Sequence, residues 1–512
     1  MLRVIDEFLN KITMYRFTLY YLIFLIGAAV LLSVFGFLNY NPLDILINSF
    51  AAVIACYVAN HVFAKIFGVS TNVESVFITA LILALIIPVK FPLNLMFIVG
   101  ASAVAMAAKY LLTVEKRHLF NPAAISVAAI SILSPTHNAT WWVGTSVMLP
   151  FVLAGGMLLI RKTQSEKMVL SFLLGFLIFS GVGAILNYGT LGSIFHVWQL
   201  SILHTALFFF AFVMLTEPLT SPSRKKLKTY YAYFVALLYA TPQIRLFSIG
   251  FSPELALSLG NIFSYMISPN YRMLMPLKWK KQLSPDTLEF AFEPSIKDLK
   301  FLPGQYLEWT LPHKNIDSRG NRRYFSISSS PTEAEIRMTV KFYTPSSTYK
   351  KELASLNPGK TIIAASLSGD FVLPKDLKIP LVFIAGGVGI APFRSMIAYI
   401  IDKNIQTDII LLYTNRTKED ILFKDIFDRA VQQGVRTVYN LTDLKSIPLD
   451  WQGTTGYITK ESVQKQIPGY QDRTYYLSGP QLMVQNFERT LIDSGVKKNK
   501  IKTDFFPGYS EK

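Results

Sequence analysis

A chain of 512 residues that is 51% apolar is too long and too hydrophobic for one soluble domain, and its apolar runs near twenty residues all lie in the first half. The single cysteine, Cys56, excludes an internal disulfide and cannot supply the four thiolates of an ordinary iron–sulfur cluster; no metal site is expected. The formal charge of +17 sits mostly beside apolar segments, as topogenic charge on a membrane protein does, which sets nucleic acid aside as a partner.

From the N-terminus, ten candidate spans run at roughly 17–38, 44–66, 73–89, 94–113, 122–134, 141–160, 168–187, 198–216, 230–249 and 253–270, the fifth short for a bilayer. Arg3, Lys11 and Arg16 precede the first span, Lys116 and Arg117 follow the fourth, Arg161, Lys162 and Lys167 the sixth, and Arg224, Lys225, Lys226 and Lys228 the eighth. The opposite loops contribute only Lys90, so the charge bias and an even span count put both termini of a multi-pass cell-membrane protein in the cytoplasm. Phe17 to Leu38 is long enough to span and lacks a small-residue cleavage pattern, so no signal peptide is expected. His61, Glu74, His204, Glu217 and Arg245 lie in or near these spans, where an ionisable group is costly enough to suggest proton, ion or cofactor handling. For Glu74 and Glu217 the competing reading is a cap or a hydrated carboxylate at a span end. The spacing of the histidines does not supply the facing pairs that two transmembrane haems need.

Three stretches in order, ITALILALIIP (Ile78 to Pro88), KRHLFNPAAISV (Lys116 to Val127) and FVMLTEPLTSP (Phe212 to Pro222), resemble successive motifs of the B subunit of ion-pumping quinone reductases and the D subunit of the Rnf complex. Asn121-Pro122 and Glu217-Pro218 are helix breakers at membrane boundaries, and irregular backbone at that depth is tolerated where protein buries it or where it lines a cavity. A bound group near them, or a simple helix-ending turn, answers to that pattern. The family carries a flavin phosphoester-linked to the threonine of a Ser-Gly-Ala-Thr stretch, which is absent here; Asn138-Ala139-Thr140 is its nearest remnant, so covalent flavin is not expected.

From Lys278 onward the composition is that of a soluble protein, which divides the chain into a transmembrane helical domain (1–271), an antiparallel β-barrel domain (272–376) and an α/β parallel-sheet domain (377–512). RRYFSISSSP (Arg322 to Pro331) resembles the Arg-x-Tyr-Ser flavin signature of the ferredoxin-NADP reductase superfamily, with PGQY (Pro303 to Tyr306), SSTYKKEL (Ser346 to Leu353) and GDF (Gly369 to Phe371) in the family's order. The resemblance implies FAD held by Arg323 on the pyrophosphate, Phe325 against the ring in place of tyrosine, Tyr324 beside it, and Ser326 near N5. Ser347 and Thr348 are implied as further pyrophosphate contacts.

AGGVGIAP (Ala385 to Pro392) follows a buried strand, so Gly386, Gly387 and Gly389 would admit a second pyrophosphate, with Pro392 in the first turn of the helix behind it. YLSGPQLMV (Tyr476 to Val484) places Ser478, Gly479 and Pro480 where relatives carry Cys-Gly-Pro beside the nicotinamide, and DFFPGY (Asp504 to Tyr509) offers Phe505 or Phe506 as a cover for the flavin. The resemblance thus implies hydride transfer from NADH or NADPH to FAD, with Ser326 and Ser478 nearest the chemistry, and onward transfer to a quinone or a noncovalent flavin in the membrane domain. Asp443 leans the choice toward NADH, with Arg416 or Lys445 as the alternative hold on a 2′-phosphate. A redox-sensing transporter and a transmembrane haem or ferric reductase are the rival classes.

Overall fold

The computed structural model describes Ile5, Leu9 and residues 12–504, apart from 69–72, 91, 93, 115–116, 134–138, 242–244, 247–248, 269–271, 297–298, 315 and 318–319. The chain separates into two compact units, Met1–Tyr271 and Arg272–Lys512.

The first unit is helical: α1 (Met14–Val34), α2 (Pro42–Phe67), α3 (Val73–Ile86), α4 (Leu95–Leu111), α5 (Pro122–Leu133), α6 (Leu149–Thr163), α7 (Glu166–Tyr188), α8 (Leu191–His204), α9 (Leu207–Met214), α10 (Lys225–Ala240) and α11 (Pro253–Ile267). Helix starts follow local chemistry, as where Asn41 and Ser252 cap α2 and α11 and proline fills the first helical position. Each of the ten apolar segments contains a helix, but among the described residues only α1, α2 and α7, of 21, 26 and 23 residues, are long and apolar enough to cross a bilayer. Helices α8 and α9, bent by 70° at their junction, make a fourth if counted as one broken span. The 12 residues of α5 rise only about 18 Å against a hydrocarbon core of about 30 Å. Leu25, Leu83, Ile98 and Phe172 are buried between helices while Leu31, Phe50, Ile54 and Leu170 are exposed. Helices that are apolar all round suit lipid as the solvent.

The second unit holds two sheets. Strands β1 (Arg272–Ser284), β2 (Thr287–Phe292), β3 (Tyr306–Thr310), β4 (Arg322–Ser326), β5 (Ile336–Lys341) and β6 (Thr361–Ser368) form an antiparallel sheet in the order β4-β3-β6-β1-β2-β5, and an Ile327–Met338 bridge links its two edges. Its core gathers Trp309, Phe290, Phe292 and Tyr349, the last on helix α12 (Thr348–Ser355). Strands β7 (Leu381–Gly386), β8 (Ile409–Asn415), β9 (Val435–Leu441), β10 (Thr454–Thr455), β11 (Thr474–Ser478) and β12 (Ile501–Asp504) form a parallel sheet in the order β10-β9-β8-β7-β11-β12. One face packs on α13 (Ala391–Asp402) and α14 (Lys424–Arg429), the other on α15 (Lys460–Gln466) and α16 (Gln481–Asp493). With both faces covered, β7 is buried at every position, which is why it reads as an unbroken apolar run.

Candidate functional site

Side chains alternate along a strand, so Arg323 and Phe325 share one face of β4 while Tyr324 and Ser326 share the other. On the first face the Arg323 guanidinium lies over the Tyr349 ring at 4.9 Å and donates to the carbonyls of Gly320 and Arg322 at 3.1 and 2.6 Å. Phe325 stands 6.3 Å from the same ring. On the second face the Tyr324 hydroxyl donates to Glu308 at 2.7 Å, and Ser326, the last strand residue, pairs in register with Tyr306. Burial first, then Asp504, Asp370 and Glu308, pushes the Tyr306 phenol up to about 12.

Tyr349 belongs to the first turn of α12, so the arginine and this helix N-terminus converge. Ser347 is the N-cap, its hydroxyl accepting from the Lys350 N–H at 3.2 Å. The Thr348 N–H donates to Asp317 Oδ2 at 3.0 Å, and the Thr348 hydroxyl accepts from the Asp317 N–H at 3.1 Å and lies 3.0 Å from His313 Nε2. A carboxylate thus holds the place an anion takes at a helix N-terminus. Neither Asp317 nor His313 was legible as a site residue, because no local pattern announces a partner 31 or 35 positions away.

The three glycines after β7 do different jobs. A Cβ on Gly386 would meet Met483 Sδ at 2.3 Å, and one on Gly389 would meet the Ser478 carbonyl at 2.5 Å, so both are small because the Ser478-Gly479-Pro480 loop packs against them. Gly387, at φ +53°, has nothing within 4 Å of its missing Cβ, so open space lies on that side of the turn. Pro392 is buried in the first turn of α13, Ser478 ends β11 in register with Ala385, and Pro480 precedes α16. Beyond β9, the Asp443 carboxylate accepts from the Lys445 N–H at 3.1 Å and the Ser446 hydroxyl at 3.2 Å, while its own N–H donates to the Arg416 carbonyl at 3.1 Å.

In the helical unit the two motif turns meet. Asn121 Nδ2 donates to Glu217 Oε2 at 2.8 Å, the Thr220 hydroxyl donates to the same oxygen at 3.1 Å, and His118 Nε2 lies 3.8 Å from Oε1. Asn261 accepts from the Asn121 N–H at 2.9 Å. Beside them a small, half-open recess of about 20 Å³, room for a water-sized group, is lined by Val114, His118, Leu119, Leu219, Thr220, Asn261, Ser264, Tyr265 and Ser268. Glu74 instead pairs with Arg16 at 3.1 Å, and His61 and His204 are exposed. Phe505, Phe506, Lys116, His137 and Asn138, and the side chain of Arg245, lie outside the described residues. Among the described residues no three His, Cys, Asp or Glu side chains gather as metal ligands.

Residues 274–372 match the oxidoreductase FAD-binding domain, residues 383–489 the oxidoreductase NAD-binding domain, and residues 11–147 the NQR2, RnfD, RnfE family. The chain is 30% identical over 233 residues to NADH-cytochrome b5 reductase 1 of Laccaria bicolor, covering 44% of this chain and 74% of that protein. It is 28% identical over 218 residues to the flavohemoprotein of Bacillus cereus, covering 40% of this chain and about half, 53%, of that one. Among solved structures, the FAD/NAD-binding domain of nitric oxide dioxygenase from Vibrio cholerae aligns at 22% identity with a TM-score of 0.41, over 46% of this chain and 98% of that domain.

Proposed function

The chain belongs to the FAD- and NAD-binding oxidoreductases in its C-terminal half and to the NQR2, RnfD, RnfE family in its N-terminal half, and on that premise we propose an electron path. It is an NAD(P)H-dependent FAD oxidoreductase, and the path we propose runs from NADH through FAD to a quinone or a noncovalent flavin at the membrane domain. Bound FAD supplies the chemistry, taking two electrons with a hydride and releasing them singly.

The observation that carries the FAD site is the convergence of Arg323 and the α12 N-terminus on Tyr349. The residues fit a pyrophosphate there on condition that Asp317 gives way: the helix end binds an anion, at present the Asp317 carboxylate, which a diphosphate would displace, and a planar guanidinium near it binds phosphate oxygens in pairs. Arg323, Ser347 and Thr348 would hold the diphosphate, Phe325 would lie against the ring system, and Ser326 and Tyr324 would contact the flavin where β4 ends. Gly387 would take the NADH pyrophosphate at its open face, with Ser478 orienting the nicotinamide and Gly479 and Pro480 shaping its bed. Asp443 supports NADH over NADPH, since a carboxylate bound to its own loop repels a 2′-phosphate.

For the membrane domain, the meeting of the two motif turns through the Asn121–Glu217 bond is what supports an acceptor held near them. The same reading takes the ten helical segments of residues 1–271 as ten crossings with both termini cytoplasmic, residues 272–376 as a barrel closed at Ile327–Met338, and residues 377–512 as the nucleotide domain. Full-length protein in lipid and a fragment beginning at Met273 test the path. Both should reduce ferricyanide with NADH, and only the full chain should reduce membrane quinone at its own rate. Equal quinone rates would reduce the membrane half to an anchor or a separate transporter.

A further inference from the structure

Helix α13 does more than follow the glycine turn. Arg394, its fourth residue, is only 5% exposed, and its guanidinium donates to the Ser328 carbonyl at 3.0 Å and to Glu333 Oε1 at 2.9 Å, with a further bond to Glu333 Oε2. Glu333 in turn accepts from the Ser330 N–H at 2.6 Å. The neighbouring Ser395 hydroxyl donates to the Ser329 carbonyl at 2.6 Å, and at the far end of the helix the Thr332 hydroxyl donates to Asp402. Residues 328–333, which leave β4 two positions after Ser326, are therefore sewn along the helix that opens at Gly387–Gly389. Burial alone would raise the Glu333 carboxyl, but Arg394 first, then the Ser330 N–H and Arg337, which pairs with Glu333 at 3.4 Å, outweigh it and hold the group below the ordinary glutamate range.

We propose that Arg394 is a positioning residue for hydride transfer: its bidentate grip on Glu333 and its bond to Ser328 set the spacing between a nicotinamide at the glycine turn and a flavin along β4. The inference rests on the NAD(P)H-to-FAD reading above. Hydride transfer needs the reacting atoms within about 3–3.5 Å, and a misplacement of about 1 Å costs on the order of 100-fold. Only a planar fork fills the role, because lysine reaches one oxygen at a time. The Ser395 and Thr332 bonds persist without Arg394, so its loss loosens the two sheets' register and leaves them joined.

The test uses the full-length protein, its FAD content measured, mixed anaerobically with NADH and with 4-deuterated NADH in a stopped-flow instrument. Arg394→Met should keep FAD occupancy and NADH half-saturation within about threefold while flavin reduction slows roughly 10- to 100-fold, with a larger deuterium isotope effect. Arg394→Lys should recover part of the rate, and Glu333→Gln should slow it in the same direction. Wild-type reduction rates in FAD-loaded Arg394→Met overturn the proposal, as does a loss of FAD alone with the remaining holoprotein reduced normally. Should Arg394→Met not fold, a wild-type rate in Glu333→Gln overturns it. A wild-type protein whose flavin neither NADH nor NADPH reduces would fail the hydride reading itself, which separates that failure from this one.

Discussion

Replacing Arg323 by alanine removes the guanidinium that lies over Tyr349, a residue of the first turn of α12. In the protein as described it already stacks over Tyr349 at 4.9 Å and donates to two carbonyls. Those contacts contribute to folding with or without cofactor, so they largely cancel from FAD affinity. What does not cancel is the pair of charge-assisted bonds to the pyrophosphate, about 1.5–3 kcal/mol. At 1.4 kcal/mol for each factor of ten, FAD should dissociate roughly 10- to 150-fold more readily. Arg323→Lys, keeping the charge and losing the fork, should fall between the two. Titration of the apoprotein with FAD, followed by flavin fluorescence, reads the change directly, and absorbance of the purified protein reads occupancy. An Arg323→Ala protein with an unchanged FAD dissociation constant would refute the convergence of arginine and helix end as the pyrophosphate site.

Gly389→Ala pushes a methyl to 2.5 Å from the Ser478 carbonyl, so it should cost about 1–3 kcal/mol, lower the thermal midpoint and impair NADH use together. Gly387→Ala, strained only by its φ of +53° at about 1–2 kcal/mol, should keep FAD and raise the NADH half-saturation, as titration of each variant will report. Asp443→Asn should raise the NADPH-to-NADH ratio of kcat/KM about tenfold, the equivalent of about 1.4 kcal/mol of lifted repulsion. Glu333 holds its proton less readily folded than unfolded, so its contribution to stability is complete above the ordinary glutamate range, near about pH 4.3, and fades as pH falls through its lower folded value. Thermal midpoints of wild type and Glu333→Gln should therefore converge in acid and separate toward neutrality.

Local patterns carried the parts of the fold that sequence reading recovers. The buried run of β7, the Gly-rich turn and Pro392 announce a strand, a turn and a helix, and the structure has them in that order. The helical segments of the first half were equally plain, but their lengths were not, since hydropathy runs on through loop residues that no longer hydrogen-bond as helix: 122–134 becomes a helix of 12 residues and 198–216 breaks by 70°. At the site, Arg323 and Ser347 were legible because each belongs to a short motif. Glu333 and Arg394, 61 positions apart, were not, although the arginine sits two residues after a motif proline. Gly386 and Gly389 read as ligand glycines in one dimension, and the packing of residues 478–483 against their missing Cβ atoms supplies a second reason for glycine that the sequence did not show.

The bond between Asn121 and Glu217 joins turns 96 positions apart and has a consequence for genetics. Two groups that bond one another do not contribute independently: loss of either costs its mate one bond, Glu217 keeping Thr220 and Asn121 keeping the Ala124 N–H, so removal of both should cost less than the sum of the two single removals. Variation at the asparagine turn and at the glutamate turn should then be inherited as a single trait: tolerated substitutions arise in pairs, and a swap at one position alone behaves as a lesion at both.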